Sequence, residues 1–225
     1  MNTTSFRLHG AHVPGLLLIA AGLLAPLAML VHPTAQGADT AARLSRLAEI
    51  SSLSRHVHLA AMLCIVVLWL SLASLARRWP DNGWVGTAMR LYALGAAAML
   101  GAALVSGFLI GDYLQRALPV MARSEDAAAG VLLAFSANQI LAGCGTVLLS
   151  AGIVSWSVAM LRQPARAAKV CGAYGVLAGL LCLIGYASGR IPLDVPGMTL
   201  VVVAHSVWYG LLGAWSLRSA HAARI

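Results

Sequence analysis

Six apolar runs, each long enough to cross a bilayer and separated by short charged or Pro/Gly-containing connectors, take up most of this chain of 225 residues. A hydrocarbon core about 30 Å thick needs roughly 20 helical residues to span it. It offers no partner to a backbone N–H or C=O, so each run must close its own hydrogen bonds as a helix. The pattern predicts an all-α polytopic membrane protein, a bundle of six transmembrane helices over residues 13–31, 56–76, 90–111, 127–161, 170–187 and 198–217. With 60% hydrophobic and only 10% charged residues, the chain has too little polar surface to coat a soluble globule. Six spans and their loops use up the sequence, so 1–225 reads as a single domain.

The first run, Val13 to Val31, carries Pro26 near its far end and is closed by His32-Pro33. Arg7 before it and the small residues at 35–38 after it have the arrangement of a signal peptide, but the run exceeds a signal core of about 7–15 residues, so a retained helix is expected. Between 38 and 54, Ala41, Leu44, Leu47 and Ala48 recur at helical spacing, with Arg43, Arg46 and Glu49 mostly off that stripe. This predicts a short amphipathic helix on the membrane surface, in the first extracytoplasmic loop. The fourth run is longer than a bilayer needs; it must project, tilt, or break near Ser136-Ala137-Asn138-Gln139.

Orientation follows from the basic residues. With the N-terminus inside, the inner segments hold nine of them (Arg7, Arg77, Arg78, Arg90, Arg162, Arg166, Lys169, Arg218 and Arg224) and the outer segments six (Arg43, Arg46, Arg55, Arg116, Arg123 and Arg190). The excess places both termini in the cytoplasm. The general character of the chain suggests a bacterial-type inner membrane. Trp79, Trp84, Tyr92, Trp156 and Trp215 fall near the inner boundary, where interfacial aromatics are expected. The net charge of +8 is spread singly or in pairs at helix ends, which argues for membrane anchoring and against nucleic-acid binding. Cys64, Cys144, Cys171 and Cys182 lie in or beside apolar runs without a CxxC, which argues against a thiol oxidoreductase working through exposed cysteine pairs. The GxxxG pairs Gly107/Gly111 and Gly175/Gly179, with Ser136, Gly143, Ser150 and Ser157 repeating every seven residues, read as packing seams, for this bundle or for membrane-protein partners.

The polar residues are unevenly placed. In this topology His32, His56, His58, Asp112, Asp194 and His205 all map to outer loops or outer halves of spans, beside Asn138 and Gln139. His205 lies about two turns inside the sixth span, where an ionisable group is costly and is therefore partnered or functional. Tyr209 continues its face, and Asn138 or Gln139 lie at comparable depth as partners. His56 and His58, two apart, can grip one ion only if the second helix begins after them, because on a helix they point some 200° apart.

Two site chemistries fit. Imidazoles of His32, His58 and His205, with His56, Asp112 or Met198, suit copper or another transition metal. Alternatively, His58 and His205 serve as axial ligands of a haem b, with Arg55 or Arg190 pairing its propionates, although the two histidines differ in depth. The sequence thus predicts a small inner-membrane protein that binds a transition metal or haem near its extracytoplasmic face, in membrane redox or metal handling. A transporter with a polar pocket of Asn138, Gln139, Asp112 and His205 is the alternative, and a non-catalytic assembly or scaffold subunit the third. No GxSG nucleophile motif, clustered histidine box or nucleotide-binding loop is present.

Overall fold

The computed structural model describes residues 12–120 and 124–222; Arg7, Arg123 and Arg224 lie outside the described residues. Among these the chain is all-helical, and six of its helices are long and apolar enough to cross a membrane. The elements are α1 (Val13–Leu30), α2 (Thr40–Glu49), α3 (Ser51–Ala76), α4 (Gly83–Leu104), a π-helical turn (Val105–Leu109), α5 (Ile110–Ala117), α6 (Ser124–Leu161), α7 (Arg166–Ala187) and α8 (Val195–Ala222). The stretch from α4 through the π-turn to α5 runs on as one helix, Gly83–Ala117.

Local chemistry fixes the ends. Asp39 caps α2 by accepting the Ala42 N–H at 2.8 Å, and Asn82 caps α4 by accepting from Trp84 and Val85. After α7 the chain reverses at Gly189, whose φ of 71° would be strained for a residue with a β-carbon. Asp194 then accepts the Gly197 N–H at 2.9 Å in the first turn of α8.

The helices run beyond several of the expected boundaries. The second long helix begins at Ser51, not near residue 56, because the polar stretch Ser51 to Arg55 ends the hydropathy signal without interrupting the backbone ladder; Ser54 N–H bonds Ile50 O at 2.9 Å. The third likewise starts at Gly83 and extends to Ala117. The fourth passes unbroken through Ser136 to Gln139, since Ser136 Oγ turns back onto the Leu132 carbonyl at 2.9 Å. Its surplus length has a packing role. Ala127 and Val131 join Leu44 of α2 with Ile110, Leu114 and Ala117 of α5 in a small core at one end of the bundle.

The six long helices form a closed ring in chain order. Each packs on its predecessor, and α8 returns to pack on α1. Small residues set the close approaches: Gly107 and Gly111 face His58 and Ser51 of α3, and Gly175 and Gly179 face Ser157 and the Ser150 carbonyl of α6. Both GxxxG pairs are thus occupied within this chain.

The ring is filled by a large apolar core spanning α1, α3, α4, α6, α7 and α8. A file of aromatic rings runs through it. Trp215 stacks on Trp79 at 5.5 Å, Trp79 meets Trp156 at 6.0 Å, Trp156 meets Trp208 at 6.4 Å, and Trp208 leads to Tyr209 and Tyr92 at 5.4 and 6.2 Å. Trp156 and Tyr92 are core residues, 1% and 3% exposed, so their rings face the bundle and not its outer surface. Among the five expected belt aromatics, Trp84 is an exposed large hydrophobic, with the Arg162 guanidinium 5.5 Å from its ring centre.

Candidate functional site

The segment just beyond α1 and the second turn of α3 bring two imidazoles edge to face. His32 Nε2 and His58 Nε2 are 3.4 Å apart, with ring centres at 5.0 Å and planes crossed at 72°. The opposite nitrogens decide what this contact is. His58 Nδ1 sits 2.8 Å from the Ser54 carbonyl, one turn back on its own helix, and 3.3 Å from Ser54 Oγ. His32 Nδ1 sits 3.1 Å from the Pro33 carbonyl. A carbonyl only accepts, so each Nδ1 carries the ring proton and each Nε2 presents a lone pair. Two lone pairs directed at each other repel unless a proton or a cation lies between them.

Burial disfavours protonation of His32. His58 is buried and His32 half-buried. Desolvation holds the His32 pKa below the ordinary imidazole value of 6.5, proximity to His58 lowers it further, and the Pro33 carbonyl opposes both. The unfolded chain therefore takes up this proton more readily than the folded one. The His32 contribution to stability is complete above pH 6.5 and declines as the pH falls below it. Unfolding in detergent between pH 7.5 and 5 is expected to show a steeper acid loss for the native chain than for His32→Ala; parallel profiles would refute this assignment.

The π-turn forms the wall behind His58. Gly107, at its middle, lies so close that a β-carbon there would overlap His58 Cβ and stand 2.7 Å from its Cγ. Beside it, Arg55 pairs with Asp112 across α3 and α5, and its guanidinium lies 5.6 Å from the Phe108 ring centre. Both members of this ion pair are nearly half exposed, so it guides geometry more than it stabilises.

The other expected residues are engaged elsewhere. His205 Nε2 is 3.0 Å from Ser150 Oγ of α6, not from Asn138 or Gln139. A hydroxyl beside an imidazole is a nucleophile–base arrangement in outline, yet Ser150 is 0% exposed and His205 5%, so the pair is sealed in the core. Tyr209 bonds the Tyr92 hydroxyl at 2.8 Å. Asn138 donates to the Ala102 carbonyl at 2.8 Å and Gln139 to the Leu193 carbonyl at 3.1 Å. Asp112 lines a surface groove with Leu104, Phe108 and Arg116, whereas Gln139 lines a separate one with Tyr186 and Leu193. His56 is exposed, its Nδ1 on the Ser52 carbonyl at 2.7 Å; because α3 already runs through residues 56–58, it points away from His58. Arg190 stands exposed in the α7–α8 connector.

Of the four candidate histidines the structure thus joins His32 to His58 and sends His205 and His56 to other partners. Among the described residues no group of three or more His, Cys, Asp or Glu side chains is placed to hold a metal ion. Residues the sequence did not single out are Ser54, visible in retrospect as a serine one turn before a histidine, and Ser150, which had read only as a packing position. Compared with protein-family models, curated proteins and solved structures, the chain matches none of them.

Proposed function

We propose that this chain is a multi-pass protein of a bacterial-type inner membrane, both termini cytoplasmic, which binds a single transition-metal ion between His32 and His58 near its outer face, in metal handling. The observation that carries this reading is the pair of facing Nε2 atoms 3.4 Å apart, each on a ring whose Nδ1 lies within hydrogen-bond distance of a backbone carbonyl, an arrangement that favours the Nδ1-protonated tautomer in both rings. Metal-binding histidines characteristically donate their second ring N–H in this way, which fixes the tautomer and ring direction.

The spacing suits a bare ion. Two nitrogens each about 2.0–2.1 Å from a tetrahedral centre are about 3.3–3.4 Å apart, and the observed separation is 3.4 Å. Imidazole favours copper or zinc over harder cations. A haem b between these two rings would need its porphyrin plane in the same gap, so the pairing favours an ion over haem. With two protein ligands the remaining coordination positions belong to water or an incoming donor. That is the character of a site where metal arrives and leaves, unlike a closed structural site with four protein ligands.

The membrane part of the reading rests on the six apolar helices and the Lys/Arg excess at one end. In it α2 lies at the outer interface, Leu44 turned to the bundle and Arg43 and Arg46 exposed. The test is to purify the full chain in detergent, expose it to copper or zinc, desalt it and assay metal per chain. About one ion per chain is expected for one ion per facing pair, retained in His205→Ala and with no Soret band. Absence of metal from the native chain, or its loss in His205→Ala, would refute the site.

A further inference from the structure

The α4–α5 helix departs from regular α geometry at one place, and that place lies against His58. A π-turn spaces its hydrogen bonds i→i+5, widens the helix and interrupts the ladder, so it costs stability and persists where something holds it. Ile110 N–H reaches back to the Val105 carbonyl in this way. In the turn that enters it, Asn138 of α6 donates to the Ala102 carbonyl at 2.8 Å, a side-chain donor supplied where the backbone ladder changes spacing. Its central residue, Gly107, lies directly against the His58 ring, while the next, Phe108, carries the Arg55 guanidinium. Four residues further on, Gly111 meets Ser51 on the same two helices, with no imidazole involved.

We propose that the π-turn Val105–Leu109 is the positioning element of the histidine pair: Gly107 aims His58 at His32, and Asn138 holds the turn open. The inference rests on the metal-binding reading above for its purpose, but its geometry is independent of it. Neither residue is placed to bond a metal. Both act through His58, whose Nε2 direction depends on the room that a widened turn and a missing β-carbon leave beside its Cβ and Cγ.

Gly107→Ala and Gly111→Ala are matched probes. A β-carbon at 111 would stand 2.8 Å from Ser51 Cβ, a comparable crowding of the α3 contact, away from the ring. Two readouts are taken on the full chain in detergent. The first needs no metal: the rate at which diethyl pyrocarbonate acylates His58, followed by mass spectrometry. His58 is 8% exposed, so the native rate should be low. It should rise several-fold in Gly107→Ala, rise less in Asn138→Leu, and stay low in Gly111→Ala.

The second is Cu(II) loading followed by electron paramagnetic resonance. Two coupled nitrogens are expected for the native chain and for Gly111→Ala. One is expected for Gly107→Ala, with affinity lower by about 10- to 100-fold, the usual loss when the support of a ligating histidine is removed. Unchanged acylation in Gly107→Ala, or an equal rise in Gly111→Ala, would overturn the positioning role whether or not copper binds. If the acylation pattern holds while the native chain takes up no copper, the positioning role stands and the metal reading fails.

Discussion

Substitution of His58 by alanine is expected to abolish metal retention. The loss should exceed about 100-fold in affinity, because removing a direct ligand costs more than removing a group that merely supports one, and the latter costs about 10- to 100-fold. His32→Ala should do the same, since one imidazole cannot hold an exchangeable ion against water and chelators. Ser54→Ala should change little: the Ser54 backbone carbonyl, at 2.8 Å, is the closer partner of His58 Nδ1, and the hydroxyl at 3.3 Å is secondary. Competition against a chromogenic chelator measures all three. Full occupancy in either histidine variant would eliminate the pair as the site.

The second large effect concerns the core. Trp208 is 1% exposed and lies between Trp156 and Tyr209 in the aromatic file. Its ring closes over Gly175, where a β-carbon would overlap the indole nitrogen. Trp208→Ala should destabilise the bundle by about 3–5 kcal/mol, the cost of a large aromatic cavity. Trp208→Phe should cost far less. Among the described residues the buried Trp208 indole N–H has no hydrogen-bond partner, so phenylalanine removes an unsatisfied donor while keeping most of the ring. Denaturant titration in detergent distinguishes them; equal losses would mean that the indole N–H has a partner in solution.

The architecture was legible because lipid compatibility is written in uninterrupted apolar runs, and all six runs correspond to long helices. Their ends were less legible. Helix persistence through Ser51 to Arg55 and through Gly83 to Arg90 depends on backbone bonding and neighbouring contacts, which hydropathy does not record. The π-turn left no mark either. Gly107 and Gly111 look identical as a GxxxG pair, yet one meets an imidazole and the other a serine.

The site was half legible. His32 and His58 could be named as ionisable groups near one face, but their facing depends on α1 and α3 being neighbours in the ring, and helix order is not a property of spacing. His205 drew attention by its depth, and depth proved to signal a sealed hydrogen bond to Ser150. Trp156 and Tyr92 turn into the core for a related reason: position along a span does not fix which way a ring turns.

The closed ring has a consequence for biogenesis. As helices emerge from the ribosome in order, each finds its predecessor waiting, so five of the six junctions form between consecutive segments and need little search. The junction of α8 with α1 is different. There Gly15 and Gly213 bring the two backbones together across almost the full length of the polypeptide. Until translation finishes, one flank of the first helix has no protein neighbour. That junction is the one contact between neighbouring long helices that must wait for nearly the whole chain.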